Sequence, residues 1–137
     1  SIIKNNSEQI LIFKKVGKRV MPSKEVKELS RLTPPEWSTY FRDYWEFKSV
    51  QRQEGHPAQY PIELPRRLIK MFSFVNDTVL DPFLGSGSTM RAAFEERRNC
   101  IGTELNNDYV RIIKEKIMYG QTRLDGNITK FEVKEDD

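Results

Sequence analysis

With one cysteine and one histidine in 137 residues, the sequence has little with which to build a metal or redox centre. Cys100 alone excludes an internal disulfide framework and a cysteine-based zinc site. His56 alone excludes a histidine-cluster metal centre. No apolar run approaches the roughly 18 residues that a membrane-crossing helix needs, and no charged-then-apolar leader of the secretory kind is visible. A large charge of one sign is missing too. The 23 Lys and Arg against 20 Asp and Glu leave a net charge of +3, which permits an anionic partner without demanding one. At 37% hydrophobic and 31% charged residues the chain is polar for a compact domain, yet it lacks the composition of a disordered one. The length suits a single domain. A reducing cytoplasm is the expected compartment.

What is present is unevenly distributed. Apolar residues concentrate between Pro61 and Met118. Gln9 to Lys15 is a β-prone apolar run closed by charge, and it reads as a strand. Val16 to Leu32 has no clean period and reads as a loop. Thr33-Pro34-Pro35-Glu36 predicts a helix start, with Thr33 as N-cap, Pro34 in the first helical position and Glu36 completing a capping box; this helix should reach Tyr44 or Trp45. Basic residues between Arg31 and Arg52 alternate with Trp37, Tyr40, Phe41, Tyr44, Trp45 and Phe47. Such interleaving suits a surface that meets phosphates and stacked bases, and equally a helix with an aromatic packing face. After a polar loop from Ser49 to Pro61, Leu64, Leu68, Ile69 and Phe72 recur at near-helical spacing, so a second helix should begin near Glu63.

The stretch from Asp77 to Met118 carries the chemistry. Asp77 to Asp81 reads as a short strand ending in a carboxylate, Pro82 to Ser88 as a glycine-rich turn, and Thr89 to Arg98 as a helix with Met90, Ala93 and Phe94 inward. Asn99 to Glu104 reads as a second strand ending in a carboxylate. Asn106 or Asn107 can cap a last helix with Tyr109, Ile113 and Ile117 on one face. Strand, glycine turn, helix and strand make a βαβ unit with parallel strands and a right-handed crossover, and ligands on such sheets bind at the carboxyl ends of the strands. Asp81 and Glu104 both fall there. Gly85-Ser86-Gly87 lets the backbone approach a ligand, and the following helix aims its N-terminal N–H groups at the same spot. A P-loop would need Lys after Gly87, and a dinucleotide fingerprint would need Gly or Ala where Met90 stands. Two readings stay open: a nucleoside-bearing ligand whose ribose hydroxyls meet the two oxygens of Glu104, and a structural turn with no ligand. Cys100 reads as a small apolar residue rather than a nucleophile.

Asp81-Pro82-Phe83-Leu84-Gly85-Ser86-Gly87-Ser88-Thr89 closely resembles the D-P-F-x-G-S-G-T-T motif of the β-type DNA amino-methyltransferases, restriction-modification enzymes that modify adenine at N6 or cytosine at N4. His56-Pro57-Ala58-Gln59-Tyr60-Pro61 with Leu64-Pro65-x-Arg67-Leu68-Ile69 resembles the segment that precedes this motif. Asn99 to Glu104 resembles the family's R-N-x-I-G-x-E, and Tyr109 the aromatic that opens the next helix. The resemblance runs from about Glu8 to Met118 and is densest from His56 to Tyr109. It implies an α/β, Rossmann-like S-adenosylmethionine-dependent methyltransferase fold, of which this chain holds part of the sheet. It also implies a methionine end lined by Asp81, Phe83, Gly85, Ser86 and Gly87 with Pro57, Ala58 and Tyr60, and a ribose held by Glu104. The expected setting is the cytoplasm of a bacterium or archaeon.

The family's catalytic loop has the form [D/N/S]-P-P-[Y/F/W], and no such tetrapeptide occurs in these 137 residues. Thr33-Pro34-Pro35-Glu36-Trp37 comes nearest and fits a capped helix better. The resemblance is to the arrangement with the catalytic half first, then target recognition, then the cofactor half. Residues 1–15 are therefore expected to end the catalytic-half sheet. Residues 16–55 are expected to connect or to recognise the target, 56–120 to bind S-adenosylmethionine, and 121–137 to form a tail. The chain is expected to be a fragment or a split subunit that joins a catalytic-half polypeptide on double-stranded DNA, with Lys48, Arg52 and His56 approaching the DNA. The alternative is a catalytically silent cofactor- or DNA-binding subunit supporting another chain.

Overall fold

The computed structural model describes residues 7–47 and 60–118. Its elements are α1 (Lys24–Leu29), α2 (Pro34–Tyr40), α3 (Glu63–Phe72), β1 (Thr78–Asp81), α4 (Ser88–Glu95), β2 (Asn99–Gly102) and α5 (Asn107–Met118). The side chain of Ile117 and the expected tail lie outside the described residues.

The expected βαβ unit is present. β1 and β2 pair in parallel, with Thr78 opposite Asn99 and Asp81 opposite Gly102. Side chains alternate across the strands. Val79 and Cys100 turn toward the helices and pack on a core of Ile69, Ala92 and Ala93. Leu80 and Ile101 point to the other face and stay exposed. Ala92 and Ala93 are wholly buried, and their small size brings α4 close to both α3 and the strands. The inward face of α4 is therefore Thr89, Ala92 and Ala93, with Met90 and Phe94 only half-buried. The helix also ends earlier than expected, at Glu95, because the chain passes through a left-handed Arg97 (φ 64°).

α2 begins at the capping box foreseen. The Thr33 hydroxyl accepts from the Glu36 N–H, and the Glu36 carboxylate accepts from the Thr33 N–H at 2.9 Å. The helix stops at Tyr40, short of Tyr44. α1 was not expected. Ser23 caps it by accepting from the Val26 N–H, and Ser30 at its end accepts from the Val75 N–H at 2.8 Å, which fastens it to the entry of β1.

The run Gln9 to Lys15 is a correction: it forms no strand, and Ile10, Leu11, Ile12 and Phe13 are all exposed. A strand exists only by pairing, and no other strand lies beside this run among the described residues. Farther along the same arm, Arg19 pairs with Asp77 and stacks on Phe74, 4.6 Å from the ring centroid. That fixes the arm at the start of β1, the end remote from the glycine turn.

Candidate ligand site at the strand ends

Backbone demands shape the turn after β1. Asp81 Oδ1 accepts from the Phe83 N–H at 3.0 Å. The Leu84 N–H donates to the Thr103 carbonyl at 3.0 Å, and the Thr103 hydroxyl donates to the Pro82 carbonyl at 2.7 Å. These bonds lace the turn to the end of β2. Gly85 (φ 55°) and Gly87 (φ 84°) take left-handed backbone, where a side chain costs about 1–2 kcal/mol. A Cβ on Gly87 would also stand 3.1 Å from Ile113 of α5. Gly102 is required for a different reason, since a Cβ there would lie 2.6 Å from buried Leu84. Ser86 within the turn and Thr89 just after it are buried, and the first turn of α4 directs its N–H groups at this end of the sheet.

Glu104 reaches back across β2 to the turn. Its Oε2 accepts from the Gly85 N–H at 2.7 Å and its Oε1 from the Asn106 N–H at 2.8 Å. Each carboxylate oxygen retains a second acceptor position. Asn106 caps α5 by accepting from the Asp108 N–H at 2.9 Å.

Beside the turn lies a cleft of about 240 Å³, lined among others by Tyr60, Leu64, Leu68, Leu80, Asp81 and Thr89. The Tyr60 and Thr89 hydroxyls share a hydrogen bond of 3.3 Å that ties the approach to α3 onto α4. Leu64 and Leu68 were legible as a helical stripe but not as cleft walls. Thr89 was legible as a motif residue but not as the partner of Tyr60.

The structure thus brings Tyr60, Asp81, Gly85, Ser86, Gly87 and Glu104 to one end of the sheet. Phe83 is there as well but is 86% exposed, as is fully exposed Leu105 beside Glu104; the sequence reading did not single out Leu105. Pro57, Ala58, Lys48, Arg52 and His56 lie outside the described residues. Thr33 to Trp37 belong to the start of α2, and Trp37 stacks on Phe41 with centroids 4.1 Å apart. Trp45, Tyr40 and Phe47 surround the guanidinium of Arg67, at 5.3, 5.4 and 4.9 Å from their centroids. These rings are therefore occupied in holding the segment to α3. Burial, with a contribution from Asp81, pushes the Cys100 thiol up to about 11, so it is neutral at pH 7 and unsuited to nucleophilic work.

A parallel βαβ unit with a glycine turn and a carboxylate at each strand end defines part of a Rossmann-like, methyltransferase-type sheet. Residues 2–115 match the profile of a family described as DNA methylase, of the N6/N4 methyltransferase kind, and the chain belongs to that family. It is 44% identical over 125 residues to the type II methyltransferase M.MjaI of Methanocaldococcus jannaschii, covering 85% of this chain and 40% of that protein. It is 32% identical over 114 residues to the DNA adenine methyltransferase YhdJ of Escherichia coli, covering 78% of this chain and 37% of that protein. Among solved structures it resembles TTHA0409 of Thermus thermophilus, assigned as a DNA modification methylase. The TM-score is 0.64 at 39% identity, over 75% of this chain and 40% of that one. A structure of TTHA0409 complexed with S-adenosyl-L-methionine gives a TM-score of 0.63 at 37% identity, again over 75% of this chain and 40% of that one. The chain spans about two-fifths of the length of these relatives.

Proposed function

We propose that this chain is the S-adenosylmethionine-binding portion of a DNA amino-methyltransferase acting on adenine N6 or cytosine N4 in double-stranded DNA. The observation that carries the reading is the glycine turn laced between Asp81 and Glu104 at the carboxyl ends of two adjacent parallel strands, beside an apolar cleft. The donor set fits this cofactor. Asp81 offers a carboxylate to an ammonium group, and Glu104 keeps acceptor positions for two ribose hydroxyls. The N–H groups of Phe83, Leu84, Gly85 and Gly87 are engaged within the protein. A cofactor carboxylate would therefore find its donors in the first turn of α4, at Ser88 and Thr89. Phe83 and Leu105 offer apolar surface to a base, and Pro57 and Ala58 complete the methionine end. When bound, the cofactor supplies an electrophilic methyl group. The residues here bind and orient it.

Base extrusion and amine orientation fall to a catalytic-half polypeptide with a [D/N/S]-P-P-[Y/F/W] loop, in the same or a separate chain. In support, the chain spans only part of its relatives, and Leu80 and Ile101 leave one sheet face apolar and exposed. Lys48, Arg52 and His56 approach the DNA. Replacing Lys48 or Arg52 with Ala should lower the salt slope of DNA binding by about one each; an unchanged slope would remove that residue from the interface.

Calorimetric titration with S-adenosylmethionine, with and without the candidate catalytic half, tests the main reading. Saturable binding weakened about tenfold or more by Glu104→Ala is expected, since a charge-assisted hydrogen bond contributes about 1.5–3 kcal/mol. Absence of binding under both conditions would overturn it.

A further inference from the structure

The two carboxylate oxygens of Glu104 are both held by main-chain donors, Gly85 on one side and Asn106 on the other, at 2.7 and 2.8 Å. The first of these contacts spans 19 residues of sequence and ends at the left-handed apex of the glycine turn. Where a Cβ would stand on Gly85, the Phe83 carbonyl at 4.0 Å is the nearest atom outside its chain neighbours. The contact with Glu104 ties the apex to the end of β2, together with the backbone bonds of Leu84 and Gly87 on either side.

We infer that Glu104 has a second role as the positioning residue of the glycine turn: it sets the turn's shape before any ligand arrives, in addition to receiving ribose hydroxyls. The inference deepens the proposed function and rests on it only for its effect on binding. A carboxylate suits the double task because two oxygens can accept from two main-chain donors and still face outward. A glutamine cannot do the same, because its single carbonyl oxygen serves one of the two N–H groups and its amide nitrogen is itself a donor. The binding energy measured for Glu104 would then combine ribose contact with preorganisation of the opposite, methionine-binding end.

Amide hydrogen exchange on the ligand-free chain tests the contact directly. In Glu104→Ala the Gly85 amide should exchange about tenfold faster or more, while the amides of Ala92 and Ala93 in the core keep their protection. Unchanged exchange at Gly85 would overturn the inference. Should Glu104→Ala lose core protection as well, Glu104→Gln decides: one of the amides of Gly85 and Asn106 must lose protection, and retention of both overturns the inference. The consequence for binding is read with S-adenosylmethionine and its 2′,3′-dideoxy analogue, which has no hydroxyl for Glu104 to hold. Glu104→Ala should weaken the analogue several-fold; equal affinity of variant and wild type for the analogue would confine Glu104 to ribose contact. If wild type binds neither compound, with or without the candidate catalytic half, the proposed function fails, and the exchange data still judge the contact.

Discussion

At the scale of single residues, three glycines at one end of the sheet serve for three different reasons. Gly85 needs only left-handed backbone, Gly87 needs it and also sits against Ile113, and Gly102 has ordinary backbone but faces Leu84. Alanine at each should therefore cost different amounts. Gly85→Ala should be mildest, at about 1 kcal/mol, because φ near 55° lies in the left-handed region that side chains tolerate. Gly87→Ala should cost about 1–2 kcal/mol from backbone alone, plus the contact with Ile113. Gly102→Ala forces buried Leu84 to move, an overpacking cost of about 1–3 kcal/mol. Urea denaturation of the three variants checks this; a Gly85 variant as unstable as the Gly87 variant would contradict the assignment of left-handed tolerance. Arg98 shows how a charge can be buried at the other end of the strands. Burial draws its pKa down, while its guanidinium donates to the Ser73 hydroxyl and to the carbonyls of Ser73 and Glu96.

Among the elements, helices α2, α3 and α4 are joined by ion pairs as well as by apolar packing. Glu36, in the capping box of α2, pairs with Lys70 of α3. Arg66 of α3 pairs with Glu95 of α4 and, at 3.2 Å, with Glu96 just past its end. Burial raises the Glu36 carboxyl, but the hydrogen bonds from Lys70 and Thr33 outweigh it and hold the group below its ordinary 4.5. Arg19 and Phe74 do the same for Asp77 against burial, as Arg91 and Arg66 do for Glu95. Depressed carboxyl values mean that the unfolded chain binds these protons first as acid is added. The stabilisation is complete above about pH 4.5 and is lost as the pH falls through the lower folded-state values. Melting temperature should thus fall on acidification below that point. Glu36→Gln should flatten part of the acid limb, and Glu36→Ala should cost about 1–2 kcal/mol at pH 7 through the lost cap and pair. A variant that keeps the wild-type acid limb would contradict the pairing.

At the scale of the whole molecule, the described residues cover the two-stranded sheet on one face only, and the N-terminal arm carries Leu11 at 73% and Phe13 at 87% exposure. Large apolar residues in the open contribute little to the fold of the chain by itself. Leu11→Ser and Phe13→Ser should change its stability by less than about 0.5 kcal/mol. Ile69→Ala, in the core cluster, should cost about 2–5 kcal/mol. If the arm and the open sheet face receive the proposed catalytic-half polypeptide, the same serine variants should weaken that association while leaving the melting temperature of the chain unchanged. A large loss of stability in the arm variants would instead show that the arm packs on this chain.

The sequence by itself determined the βαβ unit, the parallel strands, the capping box at Thr33 and the placement of Asp81, the glycine turn and Glu104 at one end of the sheet. These rest on local rules: alternation, caps, left-handed glycine and the handedness of a short crossover act within a few residues or one connection. The family was legible for the same reason, since its motifs are contiguous. Tertiary structure alone decided the rest. Gln9 to Lys15 has strand propensity, but pairing needs a neighbour that propensity cannot supply. The rings of Tyr40, Trp45 and Phe47 looked as suited to bases as to packing, and only the position of Arg67 assigned them to packing. The junction of Glu104 with Gly85 joins groups on either side of a helix and a strand, a distance that no local pattern spans.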